Sequence, residues 1–247
     1  MRIQVAMNGD RTGHEVVSVP LSVDQVIEDA VACVAAGASM LHLHPRDEQG
    51  RERLEADIVD SVVNSVRAAC HVPVGVTTGA WIEPDLDRRL AMIREWTAPD
   101  YTSVNVSEPG FRAVMETLIG RGIGIEAGVW TVEDANALAA SGLANKVTRV
   151  LVEPGELQVG SDITAALALV NDIHSALDRH GMSAPRLQHA DGVVAWAVLT
   201  DALRRGLDTR IGLEDTLYEP DGTLTTGNAS LVSAAVRIRR EVAERKG

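Results

Sequence analysis

Lysine is nearly missing from this chain. Of 23 basic residues only Lys146 and Lys246 are lysines, and the rest are arginines. Lys146 enters a strand from the end opposite the polar loops and Lys246 lies in the tail, so no lysine stands where a Schiff base could form; imine chemistry is disfavoured. Arginine in its place suits bidentate capture of carboxylate or phosphate, although a high-GC codon bias accounts for the same ratio. Cysteine is as scarce. Cys33 and Cys70 sit in apolar helical or helix-end contexts without CxxC spacing, where a thiol acts as a small hydrophobe. No apolar run approaches the ~20 residues of a membrane span. Met1-Arg2-Ile3-Gln4-Val5 enters a strand without a signal-like leader, so the expectation is a soluble, cytoplasmic protein with no membrane partner. The formal charge of −12 disfavours nucleic acid and anionic membrane surfaces.

What is present is a chain of 247 residues, 45% hydrophobic, the size that one α/β barrel commonly fills. Apolar runs predict strands at residues 3–7, 39–44, 73–77, 101–106, 124–127, 147–152, 186–188 and 209–213. Helical patterns lie between them. The first is opened by Ser22 as N-cap with Gln25 as its capping-box partner and closed by Gly37; Thr131 caps the fifth, and Asn228 caps the last. Eight strands alternating with eight helices predict a (β/α)8 TIM barrel forming a single domain over residues 1–247, whereas a doubly wound sheet needs only five or six strands. Polar residues gather on this pattern. Asn8, His42, His44, Thr77, Thr78, Asn105, Glu126, Glu153, His189, Arg210, Glu214 and Asp215 fall at or near strand carboxyl ends, where such barrels keep their chemistry, and the amino ends offer no such cluster.

The second strand ends in His42-Leu43-His44-Pro45-Arg46-Asp47. Alternate strand residues share a face, so His42 and His44 project together as half of a zinc site. A plainer reading makes one histidine a buried core residue and the other a loop residue. Glu214 is the candidate third ligand, because strands two and eight both flank strand one in a closed barrel, and His2Glu leaves an open position for water or substrate. Along the last strand the alternation groups Arg210, Gly212 and Glu214. Gly212 is expected to leave room inside, and Arg210 to pair with Asp215 or a substrate carboxylate, or with Glu126 or Glu153 in the barrel interior.

Asn8-Gly9, Ala36-Gly37-Ala38 before the histidine pair, Thr77-Thr78-Gly79, and Arg210-Ile211-Gly212-Leu213-Glu214-Asp215 together resemble the β-keto acid cleavage enzymes along the whole chain. That resemblance implies one zinc ion per chain on His42, His44 and Glu214, with Arg210 and Asp215 as the catalytic pair. It further implies condensation of a β-keto acid with acetyl-CoA as co-substrate, giving acetoacetate and a new CoA ester. In such a reaction Asp215 would take the α-proton as general base, although a carboxylate held by arginine is expected to keep a low pKa. Thr77, Thr78 and Asn105 could donate to oxygen atoms along the path. Glu15, in a stretch without the family's usual proline, would touch the far end of the substrate. After Gly79 come Ala80 and Trp81 rather than a small turn; Trp81 is expected either to line the pocket for the variable fragment or to pack on the third helix. A homo-oligomer, dimer or tetramer, is the expected assembly. The competing readings are a metal-dependent hydrolase of the amidohydrolase kind, to which His189 could add a second metal, and a non-catalytic metal-binding barrel.

Overall fold

The computed structural model describes residues 1–15, 17 and 19–245, and Lys246 lies outside them. Eight parallel strands close in chain order: β1 (Ile3–Ala6), β2 (Met40–Leu43), β3 (Val74–Val76), β4 (Tyr101–Asn105), β5 (Gly124–Val129), β6 (Arg149–Val152), β7 (Arg186–Gln188) and β8 (Asp208–Ile211), with β8 returning to pair with β1. The outer helices are α1 (Val23–Ala36), α2 (Ala56–Cys70), α3 (Leu86–Glu95), α4 (Phe111–Arg121), α5 (Val132–Ala140), α7 (Ile163–Arg179), α8 (Ala195–Arg205) and α9 (Asn228–Glu244); α6 (Glu156–Val159) is a short turn in the loop after β6. This is the expected (β/α)8 barrel. No helix among the described residues is long and apolar enough to cross a membrane.

Local chemistry accounts for the elements. Ser22 and Gln25 form the capping box of α1, and Gly37 ends the helix at φ 116°, in left-handed space that glycine enters without strain. Val26, Ala30 and Cys33 recur three and four apart and bury one face of α1 against the barrel. On α2, Val59, Val62, Val63, Val66 and Cys70 do the same. The strand side chains Val5, Leu41, Leu43, Val74 and Val76, all fully buried, are in the core beneath these helices.

Three expectations are corrected. First, β5 continues to Val129, which leaves Glu126 in the lower half of the barrel rather than on the carboxyl rim. It pairs there with Arg149, whose Nε donates to Glu126 Oε1 at 2.6 Å, and Gln4 Nε2 donates to the same oxygen at 3.1 Å. Tyr101 joins this layer because Gly75 makes room: a Cβ on Gly75 would come 2.0 Å from the ring. The strand amino ends therefore hold a buried polar cluster after all, filled by its own ion pair. Second, Gly212 leaves no room inside; a Cβ would stand 1.9 Å from the Ala6 carbonyl oxygen, so glycine lets the end of β8 lie directly on β1. Third, Asn228 is the first residue of α9 and not its cap, which is Gly227. Its buried carboxamide accepts from Leu213 N–H at 2.7 Å and donates to the Met7 carbonyl at 2.8 Å, tying the ends of β1 and β8 together.

Candidate active site

The loop motifs act first as scaffolding. Asn8 Oδ1 accepts from the His44 backbone N–H at 2.9 Å, and its Nδ2 donates to the His44 carbonyl at 3.2 Å. Arg46 donates to the carbonyls of Gly9 at 2.6 Å, Arg11 at 2.7 Å and Gly50 at 2.7 Å. Asp47 caps the following turn by accepting from the N–H groups of Gln49 and Arg51. The residues around the histidine pair thus lock the first loop onto the second. Gly9, at φ +52°, lies so close to Glu214 that a Cβ would stand 2.5 Å from its Cγ.

On this scaffold three donors meet. His42 Nε2 and His44 Nε2 stand 3.7 and 3.6 Å from Glu214 Oε2, and the three residues form a cluster whose ligand atoms all lie within 4.8 Å of one another. A tetrahedral ion bonded at ~2.0–2.2 Å needs donors roughly 3.3–3.6 Å apart. Among the described residues Glu214 Oε2 is buried without a hydrogen-bond partner, while Oε1 accepts from Arg210 at 2.6 Å. Burial pushes His42 down to about 3, so its imidazole is neutral, the form a metal requires. Arg210 and the histidines hold Glu214 well below the usual carboxylate range. A buried, unpaired carboxylate oxygen facing two imidazoles fits a divalent cation.

Beside the triad, Arg210 donates to Asp215 Oδ1 from Nη2 at 2.7 Å and from Nε at 3.1 Å. The expected low pKa of Asp215 does not follow. Burial pushes it up to about 6 against the pull of Arg210 and His189, and Glu214 adds to the rise. His189, fully buried, lies between two carboxylates, with Nε2 3.4 Å from Glu153 and Nδ1 3.8 Å from Asp215. The histidine that a binuclear hydrolase would need therefore faces Asp215 and Glu153 rather than joining the triad.

The remaining expected residues are less directly aimed. Thr78 Oγ1 donates to the Ser103 carbonyl at 2.7 Å, and Thr77 Oγ1 accepts from Gly79 N–H at 3.1 Å. Asn105 donates to Glu108 at 2.8 Å, and Glu108 also accepts from Ala80 N–H, joining the loops after β3 and β4. Glu15 pairs loosely with Arg11, at 3.7 Å. A cavity of about 770 Å³ opens on the Glu214 and Asp215 side, bordered also by Asp10, Arg11, Trp196 and Tyr218, residues outside the sequence motifs. Trp81 does not border it and does not simply pack on α3; its ring lies over His44. Glu52 was missed as well. Its carboxylate meets His44 Nδ1 at 2.5 Å, and the Asp47 to Gly50 turn that sends the chain back toward His44 was the available signal.

A family model described as beta-keto acid cleavage enzyme matches residues 1–245. Among solved structures, a binary complex of ObcA with oxaloacetate is similar at a TM-score of 0.72 and 16% identity; the match covers 93% of this chain and 64% of that one. A dihydropteroate synthase from Yersinia pestis is similar at a TM-score of 0.62 and 16% identity, covering 99% and 93% of the two chains. An N-acetylmannosamine-6-phosphate 2-epimerase from Clostridium perfringens gives 0.58 and 12%, with 87% of each chain covered. At such identities these likenesses concern the barrel alone.

Proposed function

This chain belongs to the beta-keto acid cleavage enzyme family, and from that premise we propose that it is a zinc-dependent transferase. It condenses a β-keto acid with acetyl-CoA and releases acetoacetate and the CoA ester of the remaining fragment. The observation that carries this reading is the meeting of His42, His44 and Glu214 beside the Arg210–Asp215 pair on one rim of the barrel. Zinc bound there would act as a Lewis acid toward the carboxylate and keto oxygens of the substrate.

The other steps belong to the protein and the two substrates. Asp215, held by Arg210, removes the α-proton of the keto acid; burial raises it toward the pKa that suits a base near neutral pH. The α-carbon then bonds to the thioester carbonyl of acetyl-CoA as the C–S bond breaks and CoA leaves as thiolate. That thiolate attacks the original keto carbon. Cleavage of the bond between that carbon and the α-carbon yields the new CoA ester and the acetoacetate enolate, which recovers the proton from Asp215. Arg210 stays charged throughout and offsets the carboxylates around it. Thr77, Thr78 and Asn105 are assigned to hydrogen bonds with substrate oxygens, and Glu15 to the distal end of the fragment. The cavity beside Asp215 supplies the volume. The enzyme is assigned to the cytoplasm as a dimer or tetramer.

The test is incubation with a panel of β-keto acids and acetyl-CoA, followed by mass detection of CoA esters. One CoA ester formed per acetoacetate, dependent on acetyl-CoA, is expected. Keto acid consumption with no new CoA ester would overturn the assignment.

A further inference from the structure

After His44 the chain runs outward, turns through Gly50 and comes back antiparallel, with Arg46 bridged to Glu52. Asp47 N–H donates to the Arg51 carbonyl at 2.9 Å and Arg53 N–H to the Pro45 carbonyl at 2.8 Å, which fixes the return. Glu52 therefore arrives under the histidine eight residues before it, with Oε1 2.5 Å from His44 Nδ1. Its other oxygen accepts from Trp81 Nε1 at 3.1 Å. The Trp81 ring lies over the His44 imidazole, centroids 6.0 Å apart and planes inclined by 30°. A tryptophan left 50% exposed on the active rim is thus bonded at one edge and stacked on a candidate ligand.

We propose that Glu52 and Trp81 are positioning residues that hold His44 as a metal ligand: Glu52 fixes which ring nitrogen carries the proton, and Trp81 fastens Glu52 and covers the imidazole. This deepens the reading of the triad as a metal centre and rests on it. A carboxylate only accepts, so a neutral His44 beside Glu52 carries its proton on Nδ1. The lone pair is then on Nε2, the atom 3.6 Å from Glu214 Oε2. The same hydrogen bond makes the imidazole a stronger donor to a metal. With Oε1 on His44 and Oε2 on Trp81, the carboxylate is held from two directions and cannot swing out to water. The other histidine lacks this support, since among the described residues His42 Nδ1 is buried without a hydrogen-bond partner. The two imidazoles are therefore unequal, and His44 is the oriented one.

The experiment titrates the chelator-stripped full chain with Co2+, reading the absorption of the bound ion and the tryptophan fluorescence, with Zn2+ competition for affinity. Wild type should bind one Co2+ per chain and lose the part of its fluorescence that is missing from Trp81→Phe. Glu52→Gln should bind about 10–100-fold more weakly while the stripped protein unfolds at the wild-type temperature. Trp81→Phe keeps a stacking ring but loses the hydrogen bond, so affinity should fall by about 2–10-fold and the quenching should vanish. Wild-type affinity in Glu52→Gln, with wild type binding normally, overturns this inference and leaves the metal centre standing. Absence of binding by wild type overturns both. Should Glu52→Gln fail to fold, Trp81→Phe decides: unchanged affinity with undiminished quenching overturns the positioning role.

Discussion

Replacing Gly9 by alanine asks whether the close approach of the first loop is what sets Glu214. The new Cβ would stand 2.5 Å from Glu214 Cγ, 3.0 Å from Cβ and 3.2 Å from Cδ. Carbon atoms rest at about 3.5–4.0 Å, so something must move by roughly 1 Å. One response moves the loop, but Asn8 ties it to His44, and Arg46 binds the Gly9 carbonyl at 2.6 Å. Loosening two or three such bonds costs about 2–4 kcal/mol. The other response turns Glu214 about its side-chain torsions. That breaks the bond from Arg210 to Oε1, about 1.5–3 kcal/mol for a charge-assisted pair, and carries Oε2 away from the histidines. Left-handed backbone adds ~1 kcal/mol in either case. Torsions are softer than a pinned backbone, so the ligand moves. The expected result is a loss of metal affinity of about 10²-fold or more. The stripped protein should lose about 2–4 kcal/mol, a fall in Tm of roughly 4–16 °C at this size. Zinc competition and calorimetry measure the two effects. In the double variant with Glu214→Ala the contacts to Cγ and Cδ are gone and only the 3.0 Å approach to Cβ remains, so the stability losses should fall short of additive by about 1 kcal/mol or more. Wild-type metal affinity in Gly9→Ala, together with additive stability losses, would refute the reasoning.

Other substitutions probe separate parts of the site and fold. Asp215→Asn should keep its metal while kcat falls by about 10²–10⁴, and exchange of the substrate α-proton with deuterated solvent should slow in parallel; exchange at the wild-type rate would remove Asp215 as the base. His42→Ala or Glu214→Gln should lose both metal and turnover, measured by metal analysis after gel filtration. Stripping wild type with a chelator should lower Tm by roughly 5–16 °C, taking metal at 100–1,000 times its Kd, with recovery on adding Zn2+. Asn228→Ala leaves the buried Leu213 N–H and Met7 carbonyl without partners and should cost about 2–5 kcal/mol in urea unfolding. Burial raises the Asp29 carboxyl above its ordinary value despite its hydrogen bond from Asn228, so its ionised form weakens the fold once pH exceeds the unfolded pKa of about 4. Asp29→Asn should therefore stabilise at pH 7, with the gain fading as pH falls through 4 in the same urea assay.

Much of the site was legible because its geometry is periodic. His42 lies on β2 and His44 one residue past its end, two apart, and a closed barrel in chain order sets β2 and β8 on either side of β1, so the meeting with Glu214 follows from topology. The Arg210–Asp215 pair was implied by the family resemblance and not by periodicity: β8 ends at Ile211, and a turn, not strand alternation, brings Glu214 and Asp215 round to Arg210. The contacts of Glu52 and Trp81 with His44 were not legible from periodicity. Both residues reach His44 from loops, where no period relates sequence separation to distance.

The sequence by itself determined the barrel, the capping of α1 and α5, and the rim on which the candidate metal triad stands, because apolar periodicity and cap chemistry act over a few residues. Only the tertiary structure decided the level of each polar residue and its electrostatics. Periodicity says which face of a strand a side chain takes but not how deep in the barrel it sits, which is why Glu126 belongs to the lower layer with Arg149. Nor does adjacency to arginine set a pKa: Asp215 is lifted because burial penalises its charge more than Arg210 and His189 repay, and burial is a property of the closed barrel and not of any neighbouring residues in the chain.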